Sequence, residues 1–518
     1  MSLLKNLKST ASLLALCFVG ATTSISAANA NDLKGDQIRA ITAPHTDQAL
    51  QLYHDILSLP NDTFYQDDIA KLVTFLDNEF KARSFETQVL DTGGSPLLYA
   101  TRMVPNASKT ALIYLQADGQ PTDPSLWFQE SPYKPVLKEQ QADGSWTIID
   151  WDNLKREKNP DWRIFARSAS DSKGPVTQFL MALSALDAAG LAPGYNLKVV
   201  VDTEEENGSP HLPGAVETYK DLLAADMLLI FDGPPHSSNA PTLKFGARGI
   251  ATITLKAYGP ILPQHSGHYG NYAPNPAFAL TKMLGSMKDM NGRITIPGFY
   301  DGITISEETK KILEAVPDDI NAIHDHLQIA KPDSVAESLQ LAVQYPSLNI
   351  RGLQSLKVGN EVRTLVPAEA IAEIDIRLVK ESNPERLISL VKNHIEGLGY
   401  NVIDHDPSKE ERMSLPHLVK FTSIISYGAY RTPFDAEPGL LTRQAMKDLY
   451  GEEPILIRTS GGSIPISPFV ETLGIPAVGI PTVNIDNNQH APNENIRLGN
   501  FIEGIAIAAS VLLQNPPE

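Results

Sequence analysis

Short, continuously apolar runs alternate with helical patterns over the first half of the chain. Three of these runs read as buried strands: residues 110–115 (TALIYL), 197–201 (LKVVV) and 227–231 (MLLIF). Between the first two, apolar residues recur at helical spacing from Val176 to Leu186. The order strand, helix, strand is typical of a mostly parallel sheet, so we expect an α/β fold.

The pattern changes after Gly249. Apolar and polar residues alternate over 251–257 and again over 370–378, as in a sheet with one face open to water. Asn383 and Pro384 then have the residue types of a helix cap and first turn. The α/β pattern resumes from about Tyr427. We therefore expect a smaller α+β domain, residues 249–412, inserted between two parts of the main domain, residues 31–248 and 413–518.

The first thirty residues have the pattern of a secretory signal peptide. Lys5 and Lys8 precede an apolar run over 11–19, and small residues follow up to Ala30. The run is shorter than the about twenty apolar residues that span a bilayer. We expect removal of residues 1–30, export to the periplasm in a Gram-negative bacterium or otherwise secretion, and no membrane association afterwards. Lipidation of Cys17 is the alternative, against which the bulky Leu16 argues.

Composition narrows the class of protein further. The 518 residues are 42% hydrophobic and 20% charged, which is typical of a soluble globular chain of roughly two or three domains. The formal net charge of −18 opposes nucleic-acid binding, because phosphate contacts need clustered Lys and Arg.

Polar residues follow each predicted strand of the main sheet, where open α/β sheets bind ligands. They are Gln116, Asp118, Glu204, Glu205, Glu206 and Asp232, to which Asp171 before a helix and His490 in a late loop can be added. Carboxylates packed this closely repel one another unless a cation neutralises them. The set therefore predicts a metal site.

Motifs along nearly the whole mature chain carry a family resemblance. In order they are LQADGQPTDPSLW, RSASDSKGP, EEENGSPHL, LIFDGP, PQHSGHYGNYAPNPA, RTLVP with DIRLV, RTSGGSIPI and HAPNENI. The sequence resembles the di-zinc exopeptidases that include carnosinase, nonspecific dipeptidases, carboxypeptidase G and aminoacylases, and most of all the carnosinase-type dipeptidases. The resemblance implies a catalytic main domain and an inserted lid or dimerisation domain.

The resemblance also implies roles for individual residues. Asp171 matches the carboxylate that bridges two metal ions, Glu206 and His490 match the other ligands of one ion, and Asp232 serves the second. Glu205 matches the general base. Asp118 matches a carboxylate that orients a ligand histidine.

One position departs from the family pattern, because Gln116 stands where a ligand histidine is expected. An amide is a weaker zinc ligand than an imidazole. Three options follow: a one-zinc enzyme, a two-metal enzyme that prefers Mn²⁺, or a weakened relative. His211 and His236 are candidates to replace the missing ligand.

The same resemblance implies substrate-binding residues in both domains. Arg377 and Thr364 in the insert and Ser463 in the main domain match residues that bind the substrate, with Arg377 suited to a carboxylate. His265 matches a histidine that stabilises the oxyanion, and in relatives it reaches the site of a neighbouring subunit. A homodimer is therefore implied.

Together these features predict a metal-dependent exopeptidase that cuts an amide bond next to a free carboxylate, in a dipeptide or at a C-terminus. Deacylation of an N-acyl amino acid is an alternative that uses the same groups. A catalytically impaired peptide-binding protein is the other alternative, because of Gln116. Retention of Glu205 argues against pure binding, since a binder has no use for a general base.

Overall fold

A computed structural model describes residues 33–517, so the predicted signal peptide lies outside the described residues. The helices are α1 Gly35–Thr42, α2 Thr46–Leu57, α3 Gln66–Lys81, α4 Lys173–Ala188, α5 Leu212–Thr218, α6 Lys220–Leu223, α7 Ser266–Tyr269, α8 Pro276–Gly285, α9 Glu307–Glu314, α10 Ile320–Leu327, α11 Leu339–Ala342, α12 Pro384–Gly397, α13 Lys409–Ser414, α14 Glu437–Tyr450, α15 Ser467–Leu473 and α16 Leu498–Leu513. The strands are β1 Glu86–Leu90, β2 Leu97–Arg102, β3 Thr110–Gln116, β4 Val136–Gln140, β5 Trp146–Ile149, β6 Arg163–Phe165, β7 Asn196–Asp202, β8 Met227–Ile230, β9 Thr242–Lys244, β10 Gly246–Tyr258, β11 Gln264–His265, β12 Ser347–Gln354, β13 Leu365–Val366, β14 Glu369–Leu378, β15 Asn401–Ile403, β16 Leu418–Tyr427, β17 Tyr430–Arg431, β18 Ile455–Ile457, β19 Ser460–Ser463, β20 Ala477–Gly479 and β21 Asn495–Arg497.

The main sheet has eight strands in the order β1-β2-β7-β3-β8-β20-β9-β18. Its centre, β7-β3-β8-β20, is parallel; β2 pairs antiparallel with β7, and β1 pairs antiparallel with β2. The central strands are apolar throughout because helices cover the sheet, and α4 and α16 pack against each other in the same core. The prediction of an α/β fold with a largely parallel main sheet is confirmed.

A second sheet runs in the order β12-β14-β10-β16-β15 and has its own apolar core with α8 and α12. Along β10, buried residues such as Ile253 alternate with partly exposed ones such as Thr254, as predicted. Strand β16 pairs with β10 over its length. The second sheet therefore extends beyond residue 412, where the sequence pattern placed the end of the insert.

A four-stranded sheet, β21-β6-β4-β5, connects two distant parts of the main domain. Phe165 of β6 lies opposite Asn495 of β21. This pairing holds the loop that contains Asp171 beside the loop that contains His490. The small sheet therefore brings together two residues that are far apart in sequence.

The segment 291–345, which is irregular in sequence, contains three short helices, α9 to α11. Across residues 33–517, none of the helices combines the length and apolar character needed to cross a bilayer.

Candidate metal centre

The carboxyl ends of the central strands carry most of the predicted site. Gln116 ends β3, Glu205 and Glu206 follow β7, and Asp232 follows β8. Because these strands are parallel neighbours, their ends meet at one edge of the sheet. The structure brings the predicted carboxylates together at this edge.

Asp171, Glu206 and His490, here called the metal triad, have converging donor atoms. Nε2 of His490 lies 3.0 Å from Oδ2 of Asp171 and 3.1 Å from Oε2 of Glu206, and the three donor atoms are all within 4.8 Å of one another. The hydrogen bonds to Asp171 and Glu206 raise the pKa of His490 to about 10. Two carboxylate oxygens and an imidazole nitrogen are a ligand set that fits zinc or manganese.

Asp118 supports the metal triad through the backbone. It is fully buried, and its Oδ2 accepts a hydrogen bond of 2.9 Å from the backbone N–H of Glu206. Burial, followed by the charges of Asp202 and Glu206, raises the pKa of Asp118 well above its ordinary value. With Gln116 in place of a histidine, the observed contact of Asp118 is to Glu206, which differs from the predicted role of orienting a ligand histidine.

Glu205, the predicted general base, lies among the other acidic groups of the site. Burial raises its pKa well above the ordinary value, and the charges of Glu206, Asp171 and Asp232 raise it further. A raised pKa is what a carboxylate needs to accept a proton near neutral pH. The environment of Glu205 is therefore compatible with proton transfer.

Glu494 was not identified from the sequence, although it lies within the HAPNENI motif. Its buried carboxylate accepts hydrogen bonds of 2.9 Å from the backbone N–H groups of Ser168, Ser170 and Asp171, and it pairs with Arg167 at 2.8 Å. Burial raises the pKa of Glu494 to about 7. This carboxylate fixes the backbone that presents Asp171 to the metal triad.

The space between Asp171 and Asp232 is where the resemblance implies a second metal ion. Nε2 of Gln116 donates to Oδ1 of Asp171 at 2.8 Å, and the hydroxyl of Ser172 donates to Oδ1 of Asp232 at 2.8 Å. An amide N–H has no lone pair for a metal. Oε1 of Gln116 is buried and has no hydrogen-bond partner among the described residues, but the amide presents its N–H to Asp171. The metal triad therefore fits one metal ion, and with Gln116 in this orientation the second position keeps Asp171 and Asp232 as its predicted ligands but gains none from the amide.

His211 and His236 are engaged elsewhere. Nδ1 of His211 pairs with Glu204 at 2.8 Å, and Nε2 of His236 pairs with Asp318 at 3.1 Å. Among the described residues, neither histidine belongs to the group of possible metal ligands, which is Asp171, Glu206 and His490. The structure therefore gives no support to either as the replacement ligand.

Of the predicted substrate residues, the structure brings Arg377 and Ser463 together. Nη1 of Arg377 donates to Oγ of Ser463 at 2.7 Å. Ser463 lines a cavity of about 250 Å³ that Asp232 also lines. This pair therefore lies at the border of the metal centre.

His265 and Thr364 lie in a different place. Both are exposed: His265 ends β11 and Thr364 immediately precedes β13, and the backbone N–H of Ser266 donates to the carbonyl of Thr364 at 3.0 Å. Within residues 33–517, no hydrogen bond or ion pair connects either side chain to the metal triad. The single chain does not bring these two residues into the site.

Residues 135–514 match the sequence profile of peptidase family M20/M25/M40. The chain belongs to this family. The human Beta-Ala-His dipeptidase is 29% identical over 360 residues, covering 68% of this chain and 69% of that protein. The Cys-Gly metallodipeptidase of Saccharomyces cerevisiae is 26% identical over 415 residues, covering 78% and 79%.

A solved structure with a similar fold is the M20 family metallo-carboxypeptidase of Sulfolobus solfataricus. It has a TM-score of 0.75 and 26% identity, covering 90% of this chain and 99% of that one. The predicted family is thereby confirmed, and this M20 chain is a metal-dependent peptide-bond hydrolase.

Proposed function

We propose that this M20 chain is a zinc- or manganese-dependent dipeptidase that cleaves the amide bond next to a free C-terminal carboxylate. The convergence of the metal triad beside Glu205 carries this proposal. The names of the human and yeast relatives, both dipeptidases, support a dipeptide substrate. The relatives give no support to the alternatives of an N-acyl amino acid deacylase or a peptide-binding protein.

The metal triad supplies the ligands, and a bound ion would lower the pKa of water and polarise the scissile carbonyl. Glu205 takes the proton from the attacking water and delivers it to the leaving amine. Asp118 and Glu494 hold Glu206 and Asp171 in place through their backbone N–H groups. These two carboxylates therefore act as positioning residues.

We assign recognition of the substrate carboxylate to Arg377 with Ser463. A guanidinium can bind a carboxylate through two parallel N–H donors, and the hydrogen bond from Nη1 to Ser463 orients the guanidinium of Arg377. The cavity of about 250 Å³ that Ser463 lines offers space for a small peptide.

We further propose that His265 and Thr364 complete the site of a second subunit in a homodimer. An oxyanion-stabilising histidine needs a reaction centre nearby, and these two residues do not reach the metal triad of their own chain. Their exposed position leaves them free to reach the site of another subunit. Light scattering on the purified protein tests the dimer. Mixing inactive His265→Ala and Glu205→Gln subunits after dissociation should restore roughly a quarter of wild-type activity if the site is shared, and none if it is not.

Export of the chain through a signal peptide also remains a proposal. Its support is the charged start, the apolar run over 11–19 and the small residues before Asn31. Amino-terminal sequencing of the protein from its native host tests it, and a start near residue 31 is expected.

The catalytic proposal is tested by measuring amine release from a panel of dipeptides, their C-terminal amides and N-acyl amino acids. Chelated protein should be inactive and should recover with Zn²⁺ or Mn²⁺. Hydrolysis of the free dipeptides alone supports the dipeptidase, whereas preference for N-acyl amino acids would favour a deacylase.

A further inference from the structure

The oxygens that face each other across the second metal position already accept hydrogen bonds. Oδ1 of Asp171 accepts from the amide of Gln116 at 2.8 Å and lies 3.1 Å from the hydroxyl of Ser172. That hydroxyl also donates to Oδ1 of Asp232 at 2.8 Å. Gln116 and Ser172 are both buried, so these contacts lie inside the protein.

Lys244, at the end of β9, brings a positive charge to the same place. It is partly buried and lines the same cavity as Asp232. Its side chain passes between two glycines: a Cβ on Gly233 would lie 3.0 Å from Nζ of Lys244, and a Cβ on Gly479 would lie 3.2 Å from its Cβ. Larger residues at either position would therefore displace the lysine.

The ammonium of Lys244 is not engaged in an ion pair among the described residues. Among the described residues it makes no ion pair within 4.0 Å, whereas lysines such as Lys109 and Lys256 each pair with nearby carboxylates. Burial lowers the pKa of Lys244, and the charges of Asp232 and Asp171 act in the opposite direction. A positive charge in the cavity that Asp232 lines partly meets the need for neutralisation that a metal would otherwise meet.

We propose that this chain binds one metal ion per subunit, and that Lys244, Gln116 and Ser172 together take the place of a second ion. The single ion is held by the metal triad, so this inference rests on the metal site of the proposed function. The amide and hydroxyl donate to Oδ1 of Asp171 and Oδ1 of Asp232, and the ammonium adds positive charge to the same cavity. A cation entering between Asp171 and Asp232 would have to break the hydrogen bonds from Gln116 and Ser172 and would be repelled by Lys244.

The test is a count of metal ions per chain. Purified wild-type protein is stripped with chelator, loaded with excess Zn²⁺, passed through gel filtration and analysed by mass spectrometry for zinc. Lys244→Ala, Gln116→His and the double variant are treated in the same way, with Lys109→Ala as the matched control on an exposed ion pair. We expect one zinc in the wild type and the control, and two in the double variant.

The outcomes separate this inference from the proposed function. Two zinc ions in the wild type would overturn the inference and leave the proposed hydrolase unaffected. A wild type that binds zero zinc ions would instead overturn the assignment of the metal triad. One zinc in both the wild type and a folded double variant would contradict the claim that Lys244 and Gln116 exclude the second ion. Should the double variant fail to fold, as judged by circular dichroism, the wild-type count and a higher count in Gln116→His still decide the question.

Discussion

The carboxylate of Glu494 accepts a hydrogen bond of 2.9 Å from the backbone N–H of Asp171, and the same carboxylate forms an ion pair with Arg167 in the protein interior. The predicted metal ligand Asp171 is thus held through its backbone by a buried carboxylate. Buried ion pairs are sensitive to the loss of one partner, because the other is left uncompensated.

Glu494→Gln should therefore lower the free energy of unfolding by about 3 kcal/mol. It should also weaken zinc binding by about 10- to 100-fold, because residues that orient metal ligands have effects of this size. Urea unfolding and zinc titration measure the two effects. The matched control is Glu503→Gln, which breaks the partly exposed pair with Arg39 and should cost less than about 1 kcal/mol. Equal costs for the two variants would contradict the role given to Glu494.

Arg377→Lys should raise KM for a free dipeptide by about tenfold or more and leave kcat nearly unchanged. A lysine keeps the charge but loses the planar fork that binds a carboxylate through two bonds. Steady-state kinetics on a dipeptide and on its C-terminal amide give the comparison. The amide should show a much smaller difference between wild type and variant.

The control for Arg377 is Arg351→Lys on the neighbouring strand β12, where the arginine is paired with Glu373 and exposed. This control should leave both kinetic constants unchanged. A similar rise in KM for the dipeptide and its amide would mean that Arg377 does not bind the substrate carboxylate.

A third prediction concerns the buried Lys138, which donates to the carbonyl of Phe128 and lies 4.2 Å from the ring centre of Phe165. Burial lowers its pKa from 10.5 to about 8. Between these values the unfolded chain holds more protons than the folded one, so this lysine makes the protein more stable as pH rises. The stability gain of Lys138→Met over the wild type should therefore be largest below pH 8 and should disappear by about pH 10.5. Melting temperatures across this range measure the difference, and a constant difference would contradict the lowered pKa.

Much of the site could be predicted from sequence because it is built at strand ends. The continuous apolar runs over 110–115 and 197–201 marked neighbouring buried strands, so the residues after them were expected to meet. Glu494 and Lys244 could not be found in this way. Their roles depend on contacts with residues far away in the chain, of Glu494 with Ser168 and of Lys244 with Gly479, which no local pattern records.

The extent of the second sheet was also missed. Its last long strand, β16, lies beside β10 although nearly the whole insert separates them in sequence. Pairing between strands so far apart is decided by the packing of the finished sheet, and the sequence around residue 412 carries no clear boundary signal. The short strands β17 and β19, which also pair with β10, extend the connection between the two parts.

The central claim, that Glu205 beside the metal triad performs peptide hydrolysis, is tested most directly by comparing wild type with Glu205→Gln. Both proteins are stripped, reloaded with Zn²⁺, assayed for metal content and then for dipeptide hydrolysis. Metal content should be the same in both, while kcat should fall by about 10²- to 10⁴-fold in the variant, the usual contribution of a general base. Unchanged kcat at equal metal content would contradict the account.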